Sequence, residues 1–431
     1  MQVDLLRQLA GFYENELTNR ILSFWLPRCR DPRYGGFFNC FDNRGERLIS
    51  HDKYTWSQGR FTWLFAKLAT TSCPIFTAAQ RREFLDLARN GCEFLMRHSL
   101  IGADDWRCVF LMDETGAPKP VAGCDHLDMS IYADCFVVLG LARYASASGD
   151  AAVYRFSRQL YGSIRRRIDS GAFFTLPYPL SAAYRAHGIP MILSHVSQEM
   201  LKAAAIFDPA DCPELRADLQ KFAADTLTHF IDADHVLHEV IDAENNPCPG
   251  LLGQHVNPGH TVEDMWFLLD AADQLDKPEW LRQITAVTLK TLTIGWDESY
   301  GGLLHYCSPR GGEPAGETAG TETEPTVRQV RSGWDDKLWW VHSEALYTTL
   351  LCYSRTGNPV FLAWHDRIFE YTFRVFPNPD PEIREWIQIR RRDGTPQDKV
   401  VALPVKDPYH IARNLIMLLE LLEQMQLKPL C

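Results

Sequence analysis

Six turn-flanked, strand-like segments recur along this chain, and their recurrence restricts the folds open to it. They are YGGFFNCFDNRG at 34–45, DWRCVFLMDETG at 105–116, GAFFTLPYP at 171–179, HVLHEVIDAENN at 235–246, YGGLLHY at 300–306 and EWIQIRRRDG at 385–394. Their centres are separated by roughly 65 to 70 residues, with a longer final gap. Two stretches nearly repeat outright, DPRYGGFF at 31–38 and DESYGGLL at 297–304.

Helical patterns fill the intervals. Residues 56–69 (WSQGRFTWLFAKLA), 263–273 (EDMWFLLDAAD) and 343–353 (SEALYTTLLCY) carry apolar side chains at helix spacing. Residues 410–423 (HIARNLIMLLELLE) are apolar nearly all round, which predicts burial on most faces. Residues 78–98 (AAQRREFLDLARNGCEFLMRH) are more polar and suit an outer position. Each unit thus reads as a short β-segment, a buried inner helix and a polar outer helix. Six such pairs predict an all-α fold, an (α/α)6 barrel with short β-hairpins in its connections, as one domain over residues 1–431. A linear solenoid is the alternative, but it usually has shorter repeats, about 30 to 50 residues, and no enclosed axis. The Gly-, Pro-, Thr- and Glu-rich run at 308–333 accounts for the long last gap and predicts a flexible surface insertion.

Charge and composition narrow the function classes. The net charge is −11, and a basic block such as Arg390, Arg391 and Arg392 is only three residues long, so nucleic acid is not an expected partner. No stretch reaches about 18 uninterrupted apolar residues, so no membrane span is expected. The opening MQVDLLRQLAGFYENELTNR reads as an amphipathic helix, not a signal peptide. Twelve scattered cysteines lack any C-x-x-C pair and read as reduced thiols of a cytoplasmic protein. No phosphate-binding glycine loop appears, so no nucleotide cofactor is expected. H-E-x-x-H and close H-x-H spacings are absent; metal binding stays open as a rival, and the expectation is a site without metal. Twelve tryptophans suit either a large aromatic core or a carbohydrate pocket.

Polar residues mark the start of each inner helix: Arg60; Tyr132 and Asp134; His195; His260 and Glu263; His342 and Glu344; His410. A closed ring carries equivalent positions to one end, so these groups are expected to converge on an axial pocket. Three patterns weigh most. In NPGHTVEDMW (257–266), Pro258 and Gly259 make a turn, Thr261 is the expected N-cap, and His260 sits at the helix mouth. In KLWWVHSEAL (337–346), Trp340 and Glu344 share a helix face, and Trp339 and Trp340 serve either core or pocket. In KDPYHIARNLIM (406–417), His410 opens the most apolar helix, where a buried polar group needs a partner. A lone histidine near a helix start is more often structural, and His342 is read that way; His260 and His410 gain weight from their equivalent places in the repeat.

These blocks resemble the N-acylglucosamine 2-epimerases and their relatives, the cellobiose 2-epimerases and the mannose or sulfoquinovose isomerases. The resemblance covers nearly the whole chain and rests on YGGFF at 34–38, KYTWSQGR at 53–60, NPGHTVED at 257–264, GWDESYGGLL at 295–304, KLWWVHSEA at 337–345 and YHIARNLIM at 409–417. It implies an (α/α)6 barrel with His260 and His410 as the acid/base pair. It implies that Arg60 holds substrate near its reactive oxygens, with Glu263 and Glu344 in the same pocket. Two departures stand out. His195 matches the cellobiose and isomerase branches rather than the N-acylglucosamine branch, and VVALPVKDPYH at 400–410 replaces a glycine-rich approach to the last histidine.

The function implied is a sugar 2-epimerase acting on N-acylglucosamine, N-acylmannosamine or a related aldose, through a C2 carbanion stabilised as an enediolate. An aldose–ketose isomerase is the alternative on the same site. A glycoside hydrolase or lyase would need two facing carboxylates, for which Glu263 and Glu344 are the candidates. A non-enzymatic sugar-binding module would use the tryptophans but not the paired histidines. The expected partner is a small-molecule sugar, bound by Arg60, Tyr132, His195, Glu263, Trp339, Trp340 and Glu344; a homodimer stays open.

Overall fold

The computed structural model describes residues 2–427. The chain opens with α1 (Gln2–Asn15). It then runs in antiparallel pairs: α2 (Thr55–Ala69) with α3 (Ala78–His98), α4 (Ile131–Ser148) with α5 (Ala151–Ser170), and α6 (Gly188–Phe207) with α7 (Cys212–Asp225). Next come α8 (Pro258–Leu275) with α9 (Leu281–Gly295), a separate helix α10 (Pro325–Gly333), and α11 (Trp339–Thr356) with α12 (Pro359–Val375). The last helix is α13 (Tyr409–Leu427). Helices α2, α4, α6, α8, α11 and α13 touch in that order, and α13 returns to α2, so the ring closes. The outer layer is α3, α5, α7, α9 and α12, with α1 packed on α13 as its sixth member. The fold is an (α/α)6 barrel in which the two ends of the chain supply one helix pair.

Burial explains the layering. On α4 the residues from Ile131 to Ala142 are all buried, as an inner helix must be. On α5 buried side chains recur on one face, at Val153, Tyr154, Ser157, Leu160, Tyr161 and Ile164. Aspartate caps α5: Asp150 accepts the N–H groups of Ala152 and Val153, and Gly171 ends it in the left-handed region. Helices α2 and α4 cross closely. A Cβ on Gly59 would lie 2.2 Å from the Phe136 carbonyl oxygen, so glycine is required beside Arg60.

Short strands stitch neighbouring units where the inner helices begin. Lys53–Tyr54 pairs antiparallel with Leu111–Met112, Tyr184–Ala186 with Val240–Asp242, and Lys337–Leu338 with Ile389–Arg390. The first and last of these lead directly into α2 and α11. The segment at 171–179, read as a strand, contributes one isolated bridge, between Thr175 and Ser130. The 308–333 run differs from its expected character as a surface insertion. Its last third is α10, because Val327 and Val330 stand one turn apart and bury together against Val240, Leu251, Leu252 and Tyr306. This small core is separate from the main one.

The near-repeated DPRYGGFF and DESYGGLL stretches share one physical device. Each holds a fully buried lysine from the strand that precedes the inner helix. Lys53 Nζ donates to Asp31 Oδ2 (2.6 Å) and to the carbonyls of Gly35 (2.8 Å) and Glu114 (2.6 Å). Lys337 Nζ donates to Asp297 Oδ2 (3.1 Å) and to the carbonyls of Gly301 (2.8 Å) and Gly302 (3.2 Å). Each ammonium is 0% exposed, so its charge is tolerable only with all three acceptors in place. Lys53→Met is therefore expected to cost about 3 to 5 kcal/mol, because Asp31 is left buried without its cation. The double variant Lys53→Met/Asp31→Leu is expected to cost less than the single change. Urea unfolding of both proteins checks this, and a single variant as stable as the parent would show that the pair does not hold the hairpin.

Candidate active site

The inner helices begin at one end of the barrel, and each contributes to the wall of a pocket there: Arg60, Tyr132, His195, His260, Trp340 and His410 come from the six in chain order. His260 sits in the first turn of α8, at the mouth of the pocket. Pro258 occupies the first helical position, where its missing N–H costs nothing. The cap is Asn257 and not Thr261: the Asn257 side chain accepts the His260 N–H at 3.1 Å, while the Thr261 hydroxyl donates back to the Asn257 carbonyl. Gly259 also matters. A Cβ there would lie 2.5 Å from the Trp340 indole, so the glycine lets that ring approach His260.

The two histidines from α8 and α13 pack against the same indole. Trp340 lies 5.4 Å from the His260 ring and 5.6 Å from the His410 ring, centroid to centroid. Both are wired alike. His260 Nδ1 lies 3.0 Å from Glu239 Oε2, and His410 Nδ1 lies 2.7 Å from Glu344 Oε1. In a neutral imidazole, a carboxylate at Nδ1 fixes the proton there and leaves Nε2 as the bare acceptor. Burial lowers the His410 pKa to about 3; Glu263 pulls the other way, but Arg60 and Arg413 reinforce the depression. His410 is therefore neutral at pH 7.

Behind each histidine lies a charged support. On the His410 side, Arg413 Nη2 sits 2.5 Å from Glu263 Oε1 and also bonds Glu344 Oε1. Glu263, Glu344 and His410 bring three potential ligand atoms within 4.8 Å of one another, a spacing that a metal ion could use. Arg413 already offsets part of that negative charge, and Nδ1 of His410 is committed to Glu344, so the donor set is engaged by the protein's own groups. On the His260 side, Glu239 also faces His187, with Oε1 3.5 Å from Nδ1, and His187 Nε2 lies 2.8 Å from Asp264 Oδ2. Burial disfavours charge on His187, but Asp264 and Glu239 more than offset it and raise its pKa to about 9. Burial also opposes ionisation of Glu239, yet His260 and His187 hold it well below the usual carboxylate range.

The remaining residues named from sequence fall at stated places. Arg60 reaches the pocket over Phe136 and Trp56, pairs with Asp407 at 3.2 Å, and keeps a buried Nε without a protein partner. His195 stacks on Phe267 at 4.1 Å, its Nε2 has no protein partner, and burial with the Arg413 charge lowers its pKa to about 3. Tyr132 and Trp339 line the wall, and so does Glu263. Glu344 departs from its expected role as a substrate ligand. It is 0% exposed, receives the Trp266 indole N–H at 2.8 Å, and stands behind His410 and Arg413. Asp134 and His342 also leave the ring of pocket groups. Asp134 is buried against Arg167, and His342 ties Leu338 and Leu303 together in the core.

Four residues near the site were not singled out from sequence. Arg413 stands three residues after His410, on the same helical face, and that spacing was a readable signal. Glu239 lies inside a quoted β-segment and Asp407 inside a quoted block, but nothing local assigns either a partner. His187 had no sequence signal, because its two carboxylates come from elsewhere in the chain.

Comparisons with known proteins identify the family. The model of the N-acylglucosamine 2-epimerase (GlcNAc 2-epimerase) family matches residues 36–413. The N-acylglucosamine 2-epimerase of Mus musculus is 30% identical over 417 residues, which are 94% of this chain and 89% of that protein. The cellobiose 2-epimerase structure from Bacillus thermoamylovorans B4167 superposes with a TM-score of 0.75 at 18% identity, covering 97% of this chain and 100% of that one. A D-mannose isomerase structure gives a TM-score of 0.71 at 18% identity, covering 95% of this chain and 97% of that one. At such identities the two structures speak to the fold alone. The family match and the mouse relative go further: this chain belongs to the N-acylglucosamine 2-epimerase family and is a carbohydrate epimerase.

Proposed function

We propose that the protein interconverts the C2 epimers of an open-chain aldose, an N-acylglucosamine/N-acylmannosamine pair or a related sugar, with His260 and His410 as its two proton-transfer groups. The observation that carries this reading is the matched wiring of two imidazoles against one indole, each with Nδ1 on a carboxylate. One Nε2 removes the C2 proton, and the electron pair of that bond moves into the C1 carbonyl to give an enediolate. The other histidine, which enters the step already protonated at Nε2, returns that proton to the opposite face of C2, so in each turnover one imidazole starts neutral and the other as the cation. The roles exchange when the reaction runs backward. Arg60, with donors unspent on Asp407, stabilises the negative charge on the sugar oxygens. Trp340 offers an apolar face to the C–H groups of the sugar.

Each histidine must carry a positive charge once it holds the proton. Glu344 and Glu263 supply the compensating charge for His410, while Arg413 and burial keep its resting state neutral. Glu239 supplies the compensating charge for His260, and His187 with Asp264 positions Glu239. A second reading, aldose–ketose isomerisation, draws on His195, whose unpartnered Nε2 on the wall could serve a proton returned to C1. A cytoplasmic setting is part of the proposal, supported by the free thiols of the described cysteines; among the described residues no helix is long and apolar enough to cross a membrane.

In D2O with N-acetylmannosamine, mannose or glucose, the expected product is the C2 epimer with deuterium at C2, followed by NMR. A ketose product would establish the isomerase reading instead. His260→Ala and His410→Ala are each expected to lower kcat by about 10²- to 10⁴-fold without changing the fold, and near-normal turnover in either would remove that residue from the mechanism. His187→Gln is expected to reduce kcat more than it changes KM. Because the folded pKa of His187 is raised to about 9, its charge is present at neutral pH and lost as pH rises through 9. The alkaline fall of kcat/KM near that pH is expected in the parent and absent in His187→Gln; identical profiles would show that His187 has only a packing role.

A further inference from the structure

The pocket extends past the reacting centre to a wall that the proposed mechanism leaves unused. This wall is built by the small second core, in which α10, the turn Gly250–Gln254 and the strand Val240–Asp242 pack together outside the helical ring. Gln329 and Thr326 of α10 face the pocket, together with His305 and His255. His305 is 7% exposed and His255 is 1% exposed. Both line the same pocket as His260, so the wall adjoins the proposed acid/base pair.

The hydrogen-bonding state of this wall can be derived. His305 Nδ1 lies 3.2 Å from the Gly333 carbonyl, and His255 Nδ1 lies 3.3 Å from the Leu251 carbonyl. A carbonyl only accepts, so in each ring Nδ1 carries the proton and Nε2 is an acceptor. Burial lowers the pKa of both rings, His305 to about 3, so neither is a cation at neutral pH. Gln329 donates to the Pro177 carbonyl at 3.4 Å, and its Oε1 is buried with no protein partner. A buried acceptor without a donor costs about 1 to 3 kcal/mol, a cost relieved when a ligand donor arrives. The lysines and arginines of the pocket wall are Arg60 and Arg413, both at the His410 side, so this side has no cation for a phosphate or carboxylate.

We propose that α10 completes a second subsite, in which Gln329 and His305 accept hydrogen bonds from an uncharged, donor-bearing substituent of the substrate beyond its reacting carbons. The proposal rests on the epimerase reading and adds a specificity element carried by the 308–333 segment. Two substituents present this chemistry: the hydroxyls of a second sugar ring and the N–H of an acylamino group.

The test compares kcat/KM for three sugars, glucose, N-acetylglucosamine and cellobiose, in the parent, Gln329→Met and His305→Phe. In the parent, at least one substituted sugar is expected to exceed glucose. In Gln329→Met that advantage is expected to fall about tenfold, mainly through KM, and His305→Phe is expected to act in the same direction. The sugar that responds identifies the substituent: N-acetylglucosamine for an amide, cellobiose for a second ring. Equal losses for all three sugars, or an unchanged ratio in both variants that keep the parent's circular dichroism, overturn the subsite while leaving the epimerase intact. Absence of C2 hydrogen exchange with every sugar overturns the epimerase reading, and the subsite falls with it.

Discussion

A single buried guanidinium allows the axis of this ring to hold acids. Arg413 is 1% exposed and bonds both Glu263 and Glu344, which come from two other inner helices. Without it, two carboxylates would face each other in a desolvated space, where one of them would be forced to take a proton. With it, Glu344 stays free to fix the Nδ1 proton of His410, and the orientation of that imidazole follows. The same cation packs over Tyr409 and Trp266, so one side chain both offsets charge and fills space.

The two halves of the site reach the same end by different means. His410 takes its support from helices across the ring, through Glu344 on α11 and Glu263 on α8. His260 takes its support from Glu239, just before the strand Val240–Asp242, and from the residue that opens α6, His187. Glu263 and Asp264 are consecutive on α8, yet one serves the Arg413 cluster and the other serves His187. Successive helix positions point about 100° apart, so one turn of α8 supplies both sides of the pocket.

The sequence carried the architecture because the architecture is periodic. Buried inner helices, polar outer helices and their turn signals repeat six times, and the ring closure follows from the count. Residues at helix starts were legible for the same reason, and the structure brings Arg60, Tyr132, His195, His260, Glu263 and His410 to one wall. What the sequence could not show was partnership across the chain. Glu239 and His260 are 21 residues apart but belong to different elements, and Arg413 meets Glu263 across 150 residues. Glu344 illustrates the limit from the other side: its position was right, but whether it faced substrate or supported His410 depended on Arg413. The 308–333 run was misread because its composition is averaged over a loop and a helix, and two valines one turn apart were outweighed by their polar surroundings.

The outer layer has a consequence for assembly. Among the described residues, its sixth member is the first helix along the chain, and its inner partner is the last. A nascent chain can form an arc of helix pairs as it emerges, but the seam cannot be sealed until roughly 400 further residues have left the ribosome. Until then the apolar flanks of α2 and α11 at the gap remain wet, and the pocket lacks His410 and Arg413. Completion of the pocket and closure of the circle are therefore one late, long-range event, of the kind that slows folding.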